Sequence, residues 1–208
     1  MKIIIFGASG GTGRQLVEQG LSQGHHITAF VRNPESLTIK DKNLTIFAGD
    51  VLKKDDVEKA IKGQGAVISA LGNKTSNALR KSNTIISDGV KNIISAMKED
   101  NVKRLLFIAS FGVNKNIFLP EKLVLRTILK NLFADIPKQE GLIKASGLDW
   151  TIVHPARLVN TPKTGTYNQG ENLSISLSSK IARSDVADFL LKNITTKASF
   201  GKIITISY

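Results

Sequence analysis

The feature that most constrains the fold of this 208-residue chain is a set of glycines that directly follows an apolar segment near the start. Ile3–Phe6 has the composition of a buried strand, and Gly7, Gly10 and Gly13 follow it at three-residue spacing. Apolar residues then recur at helical spacing, which predicts an amphipathic helix over Thr12–Gln23. A glycine turn between a buried strand and a helix is typical of proteins that bind a pyrophosphate against the backbone and the helix N-terminus.

Apolar strand-like segments alternate with helical segments along the rest of the chain. The predicted strands are Lys2–Phe6, His26–Arg32, Leu44–Ala48, Ala66–Leu71, Arg104–Ala109, Trp150–His154 and Ile203–Ser207. The further predicted helices are Asp55–Lys62, Ser82–Asp100, Lys138–Ser146 and Ser184–Asn193, the last capped by Ser184. This alternation predicts an α/β fold, a Rossmann-like doubly wound parallel sheet with helices on both faces. We expect one domain over residues 1–208, with a small substrate region towards the C-terminus.

Composition narrows the class of partner. The formal net charge is +12, but the lysines are scattered and are not interleaved with aromatic residues, so we expect a small anionic ligand rather than a nucleic acid. The absence of cysteine excludes disulfides and thiolate catalysis, and no cluster has metal-ligand spacing. No apolar run is long enough to span a membrane, and the chain opens directly on a strand without a signal peptide. These features predict a cytoplasmic protein with no membrane partner and leave its oligomeric state open.

The glycine turn supplies the first group of predicted cofactor ligands. They are Gly7, Ser9, Gly10, Gly11, Thr12 and Gly13. The glycines allow a tight turn and close approach of a pyrophosphate, while the hydroxyls and free N–H groups donate to it. The alternative is a glycine-rich turn without a ligand.

Residues after the next three strands complete the predicted dinucleotide site. Arg32 ends the second strand, where an acidic residue would bind the ribose hydroxyls of NAD, and an arginine instead suits the 2′-phosphate of NADP. Asp50 and Val51 follow the third strand and would contact the adenine. Leu71 and Gly72 end the fourth strand, where the backbone would pass a ribose. A surface arginine and ordinary turns are the alternatives at these positions.

The order of these motifs resembles the extended, atypical short-chain dehydrogenase/reductase superfamily, and within it the flavin reductase and biliverdin-IXβ reductase group. The resemblance extends over nearly the whole chain and rests on "FGASGGTG", "VRNPESL", "GDVLKKDDVEKAIKGQGAVISALG", "GVKNIISAMKEDNVKRLLFIAS", "LIKASGLDWTIVHPARL", "TGTY" and "IARSDVADFLL". It implies an NADPH-binding domain with an open substrate pocket above the nicotinamide. Two positions depart from the flavin reductase pattern, because Ser36 replaces its second arginine and Arg157 replaces its substrate-side histidine.

The resemblance implies that Ser110 lies near the nicotinamide, where it would be the catalytic residue that orients the acceptor. We place His154 and Pro155 beside the cofactor, although a histidine there also suits a purely structural role. Phe111 and Arg157 are the predicted substrate contacts, and Arg157 favours an anionic substrate such as a flavin phosphate.

The residue types also limit the reaction. Tyr167 and Tyr208 are the two tyrosines of the chain, and neither is followed four residues later by lysine, so the Tyr-x-x-x-Lys pair of alcohol dehydrogenases is absent. Hydride transfer to a flavin or quinone does not need a proton-donating side chain, because the acceptor can take its proton from water. We therefore predict an NADPH-dependent reductase with FMN, FAD or a quinone as acceptor. The alternative is a non-catalytic NADP(H) sensor of the nitrogen-metabolite-repression type. A nucleotide-sugar epimerase is disfavoured, because the chain lacks the tyrosine of the Tyr-x-x-x-Lys pair.

Overall fold

The computed structural model describes residues 1–72, 85–109, 130–176 and 178–208. Ten strands lie in this part of the chain: β1 (Lys2–Phe6), β2 (His26–Val31), β3 (Leu44–Ala48), β4 (Ala66–Ser69), β5 (Arg104–Ile108), β6 (Asp149–Pro155), β7 (Arg157–Val159), β8 (Asn168–Gly170), β9 (Lys180–Ala182) and β10 (Lys202–Ser207). The α-helices there are α1 (Gly11–Ser22), α2 (Lys54–Ile61), α3 (Ile85–Glu99), α4 (Lys130–Lys144) and α5 (Arg183–Lys192).

Eight of the strands form one sheet in the order β3-β2-β1-β4-β5-β6-β10-β8. Every neighbouring pair is parallel except β10 and β8, while β7 and β9 pair separately. The run β3-β2-β1-β4-β5-β6 is the doubly wound order in which the connections reverse direction between β1 and β4. This confirms the predicted Rossmann-like α/β sheet and places a crevice beyond the C-terminal ends of β1 and β4.

Alternate residues of the central strand β1 enter two separate hydrophobic layers. Ile3 and Ile5 pack in the layer that contains α1 and α5, and Ile4 and Phe6 pack in the layer that contains α2 and α3. All four side chains are fully buried, as is expected for a parallel strand that is covered on both faces. The continuous apolar run that the sequence shows at this strand is therefore explained by burial on both sides.

Several predicted boundaries are wrong for identifiable reasons. Ser184 does not cap α5: Ala182 precedes the helix without a side-chain cap, and the Ser184 hydroxyl donates to the carbonyl of Thr161 at 3.2 Å. Helix α4 spans Lys130–Lys144 rather than the predicted Lys138–Ser146, because the chain stays helical through Pro137, an interior position that local propensity disfavours. The short strands β7, β8 and β9 were not predicted, since three residues carry no periodic signal.

Arg104 at the start of β5 is a buried cation that connects distant parts of the fold. Its Nε donates to the carbonyl of Ile194 at 2.8 Å, and its Nη2 donates to the carbonyl of Asn193 at 2.7 Å and to the Thr151 hydroxyl at 2.8 Å. The guanidinium also stacks 4.4 Å above the ring of Phe200. Burial lowers the pKa of Arg104 to about 10, so the group is still charged at neutral pH. Arg104 thereby fixes the C-terminal end of α5 to the sheet.

Within the described ranges, no helix combines the length and apolarity that crossing a membrane requires.

Candidate functional site

The glycine turn lies at the C-terminal end of β1, on the crevice side of the sheet. Gly7 has a φ of +79°, and a Cβ on it would lie 2.5 Å from the carbonyl oxygen of Ala70. A Cβ on Gly13 would overlap with the carbonyl oxygen of Gly7. These two glycines are therefore required by the backbone itself, which lets α1 pack closely on β1 and β4.

Gly10 differs from these two glycines in what surrounds it. It is exposed, and a Cβ on it would meet only the carbonyl oxygen of Gly7, at 3.2 Å. At that distance the contact is tight but involves one backbone atom, and the turn leaves an open cradle at Gly10, at the start of α1. Because a helix N-terminus with free N–H groups attracts anions, the cradle fits the pyrophosphate of a dinucleotide. Of the other residues predicted for this turn, Ser9 is half-buried, Gly11 is exposed and Thr12 is buried.

Arg183 lies against this cradle and was missed by the sequence analysis. A Cβ on Gly11 would lie 2.7 Å from Cδ and 2.8 Å from Nε of Arg183, so the arginine passes directly over the first residue of α1. Its Nη1 donates to Oδ1 of Asn160 at 2.7 Å. Among the described residues no carboxylate pairs with it. A cation at the start of α1 adds to the positive potential of the helix N-terminus. The signal that could have found it is the arginine in "IARSD", which is the first residue of α5.

The residues predicted to bind the adenosine half lie around the ends of β2 and β3. Arg32 directly follows β2 and is exposed, without a carboxylate partner in the part of the chain that the structure describes. Asp50 is half-buried, and its Oδ1 accepts from the backbone N–H of Leu52 at 3.0 Å. Arg32 therefore offers a positive charge without an ion-pair partner at the end of β2, where a phosphate is predicted to lie, and Asp50 offers a half-buried carboxylate after β3.

Val51 has a larger structural role than the adenine contact that was predicted. It is 7% exposed, and its side chain fills the space above Gly89 of α3, where a Cβ would lie 2.9 Å away. Its carbonyl also accepts from Nδ2 of Asn92 at 2.9 Å. Leu71 is half-buried and Gly72 is exposed at the end of β4, beside the crevice. Contact of these residues with a cofactor stays a prediction.

His154 and Pro155 are the last two residues of β6, and both are buried. The imidazole Nε2 of His154 lies 2.8 Å from Oε1 of Glu140 on α4. Lys144 donates to the other oxygen, Oε2, at 3.0 Å. Burial raises the pKa of Glu140, but the bonds from His154 and Lys144 outweigh it and hold the pKa below its ordinary value of 4.5. His154 therefore has a protein partner on α4, and its contact with a cofactor stays a prediction.

The predicted substrate residues are only partly described. Ser110 and Phe111 lie outside the described residues. Arg157 is exposed in β7, two residues after β6 ends, and its backbone N–H donates to the carbonyl of Ser179 at 3.1 Å. The turn at 164–165 is held by Asp185, which accepts from the N–H groups of Thr164 at 3.0 Å and Gly165 at 2.8 Å. This arrangement fixes the chain that follows β7 against α5.

The comparison with known families agrees with this geometry. A family model described as NAD(P)H-binding matches residues 7–197. The chain belongs to this NAD(P)H-binding family. The match begins at the first glycine of the turn and extends beyond α5, so it covers the cradle, Arg32 and Arg183 together. It confirms the predicted recognition of the superfamily and the predicted class of NAD(P)H-dependent oxidoreductase, and it leaves the acceptor open.

Individual relatives share this family's fold over most of the chain. The chain is 28% identical to an uncharacterised sugar epimerase of Bacillus subtilis, YhfK, over 95% of its own length and 89% of the relative's. It is 36% identical over 164 residues to the isoflavone reductase homologue A622 of Nicotiana tabacum, which covers 73% of this chain and 47% of that protein. Among solved structures, a Rossmann-fold NAD(P)-binding family protein from Shigella flexneri superposes with a TM-score of 0.76 at 25% identity, covering 99% of this chain and 92% of that one.

Proposed function

We propose that this protein is an NADPH-dependent reductase that transfers hydride to a flavin, a quinone or a similar small acceptor. The observation that carries the proposal is the state of the two tyrosines in the NAD(P)H-binding fold. Both hydroxyls donate to aspartates of α5, Tyr167 to Asp188 at 3.0 Å and Tyr208 to Asp185 at 2.6 Å. Neither hydroxyl is thus free to pass a proton to a carbonyl substrate.

The electrostatics of Tyr167 support this assignment further. Burial, and then the hydrogen bond to Asp188, raise the pKa of Tyr167 well above its ordinary value. A short-chain dehydrogenase needs the opposite shift, because its tyrosine must exchange a proton near neutral pH. Asp188 also pairs with Lys163 at 3.1 Å and with Lys192 at 2.7 Å, so the aspartate that accepts from the phenol is held by two cations. The chemistry of an alcohol–ketone interconversion, or of an epimerase that uses such a tyrosine, is therefore disfavoured.

The residues present fit a reaction in which the protein binds and orients its two substrates. The open cradle at Gly10 and the cation of Arg183 would hold the pyrophosphate, and Arg32 would select the 2′-phosphate. NADPH supplies the hydride when bound. A flavin or quinone accepts it and takes its proton from solvent, so the chain's own contribution is proximity and alignment. Arg157 lies exposed just beyond β6 and favours an acceptor that carries a phosphate or carboxylate.

The experiment is to follow NADPH oxidation with FMN, FAD, a quinone and a set of simple ketones at a fixed protein concentration. We expect turnover with FMN and the quinone and little with the ketones. A Gly10→Val variant is the control, because its side chain fills the cradle and meets one backbone atom tightly, the carbonyl oxygen of Gly7; turnover should disappear, and thermal melting checks that the variant folds. The proposal fails if wild-type protein binds NADPH but no acceptor is reduced above background. In that case the NADP(H)-sensor alternative takes its place.

A further inference from the structure

Arg14, in the first turn of α1, is held in one place by two backbone carbonyls. Its Nε donates to the carbonyl of Ser9 at 3.2 Å, and its Nη2 donates to the carbonyl of Ser36 at 2.8 Å. Ser9 lies in the glycine turn after β1, and Ser36 lies in the short 3₁₀ turn Pro34–Ser36 after β2. The exposed side chain of Arg14 thus bridges the two turns that follow neighbouring parallel strands.

The bridge leaves Arg14 without a direct ion-pair partner. Both acceptors are neutral carbonyls, and no carboxylate pairs with Arg14 in the described ranges. A guanidinium has five N–H donors, of which this one uses two, so three remain for a ligand. Ordering a long side chain costs rotamer entropy, and the two hydrogen bonds to backbone carbonyls already order this one in the absence of a ligand. A guanidinium that is already ordered and still has free N–H donors is suited to bind an anion.

The position of the Arg14 guanidinium indicates which anion it would bind. Strands β1 and β2 are paired in parallel with Phe6 opposite Phe30, so their following turns lie side by side at the crevice edge of the sheet. In a dinucleotide-binding fold the adenosine ribose lies at the end of the second strand. Arg32 follows β2 there, four residues before the carbonyl that Arg14 contacts. Two guanidinium groups therefore belong to one edge of the predicted ribose site.

We propose that Arg14 is a second ligand of the 2′-phosphate of NADP(H) and determines cofactor specificity together with Arg32. This proposal rests on the proposed use of NADPH. It also accounts for Ser36, which cannot supply a cation itself but offers its carbonyl to hold one from α1. Arg14 of α1 would thus do what a second arginine in the turn after β2 does in the flavin reductase pattern.

A purely structural role for Arg14 makes a different prediction. If the side chain only fastened the glycine turn to the turn after β2, its loss would disturb binding of NAD and NADP alike, since both share the pyrophosphate and the ribose. A phosphate ligand affects only cofactors that carry the 2′-phosphate. The ratio of the two affinities therefore distinguishes the two roles without any measurement of turnover.

The test is isothermal titration calorimetry of NADP⁺, NAD⁺ and 2′,5′-ADP with the wild-type protein and with Arg14→Gln, Arg14→Lys and Lys98→Gln. Lys98 is an exposed lysine in the last turn of α3 and serves as the matched loss of one positive charge. We expect Arg14→Gln to weaken NADP⁺ and 2′,5′-ADP about ten- to a hundred-fold, the effect of one charge-assisted hydrogen bond, while NAD⁺ changes less than about three-fold. Arg14→Lys should recover part of the loss, and Lys98→Gln should bind like the wild type.

The outcomes separate this proposal from the proposed function. If wild-type protein prefers NADP⁺ and Arg14→Gln keeps the same preference, Arg14 is not a phosphate ligand and the reductase proposal stands. Equal losses for NADP⁺ and NAD⁺ also overturn it, in favour of the structural role. If the wild type shows no preference for NADP⁺, the proposed NADPH specificity is itself wrong. Thermal melting of each variant checks that the fold is intact.

Discussion

Nε2 of His154 lies 2.8 Å from Oε1 of Glu140, and this contact joins the end of β6 to α4 beneath the crevice. Both residues are buried, His154 with 7% and Glu140 with 8% of its surface exposed, so solvent compensates poorly if either partner is removed. The contact therefore matters both for stability and for the position of the backbone at Pro155, which is predicted to lie beside the cofactor.

Glu140→Gln should lower the free energy of unfolding by about 1–3 kcal/mol at pH 7, since a buried charged acceptor is lost. The folded state holds the pKa of Glu140 below its ordinary value of 4.5. The unfolded chain thus takes up a proton first as the pH falls, and the stabilisation is present above about pH 4.5 and is lost below it. The stability difference between wild type and variant should shrink over that range. Urea unfolding at several pH values measures it, with exposed Glu18→Gln as control.

A second prediction separates the two kinds of glycine in the turn. Gly10→Val should still fold, with its Cβ in one tight contact with the carbonyl oxygen of Gly7, and should lose affinity for both NADP⁺ and NAD⁺, because its side chain fills the space predicted for the pyrophosphate. Gly13→Ala should instead be destabilised by several kcal/mol, since its Cβ would overlap with the carbonyl of Gly7. Thermal melting and calorimetric titration of the two variants test this. Normal cofactor affinity in a folded Gly10→Val protein would mean that the turn has only a structural role.

A third prediction concerns Arg32 alone. Arg32→Ala should weaken NADPH binding about ten- to a hundred-fold and leave NADH binding nearly unchanged, the range of a lost charge-assisted hydrogen bond. The side chain is exposed and makes no ion pair within the described ranges, so the variant should be as stable as the wild type. Calorimetry with both cofactors is the measurement, and equal losses would contradict the assignment.

A fourth prediction distinguishes Arg183 from the two arginines at the ribose edge. Its side chain passes over Gly11 at the start of α1, where the pyrophosphate common to both cofactors would bind. Arg183→Gln should therefore weaken NADPH and NADH to the same extent, by about ten-fold or more. Asn160→Ala is the matched partner variant, since it removes the hydrogen bond at 2.7 Å but keeps the charge, and its effect should be smaller. A selective loss of NADPH affinity would contradict this placement.

The sequence predicts most of the central sheet because its signals are local and strong. The strand β1 is a continuous apolar run that ends in glycines, and the structure has it at Lys2–Phe6 as predicted. The failures arise where tertiary contacts override local signals. Local propensity disfavours a proline inside a helix, but α4 continues through Pro137, with Ile136 and Gln139 buried on either side.

For the candidate site too, the sequence predicts residues that are placed by local signals and misses those that are placed by tertiary contacts. The glycine turn and Arg32 could be located because they follow strands directly. Arg14 and Arg183 could not, since their relevance depends on where long side chains lie: one reaches a carbonyl 22 residues away, and the other crosses a helix 172 positions earlier in the chain. The pairing of His154 with Glu140 was likewise invisible, because it depends on the packing of α4 against β6.

The buried guanidinium of Arg104 has a consequence for the order in which this fold can be completed. The carbonyls of Asn193 and Ile194 that accept from it lie 89 and 90 residues further along the chain. During synthesis from the N-terminus, β5 therefore emerges long before the acceptors of its first residue exist. Burying the guanidinium without these two carbonyls would leave a desolvated charge with too few acceptors. Arg104 can therefore make its native hydrogen bonds only when nearly the whole chain has been synthesised. The start of β5 and the C-terminal end of α5 can therefore reach their native contact only late in synthesis.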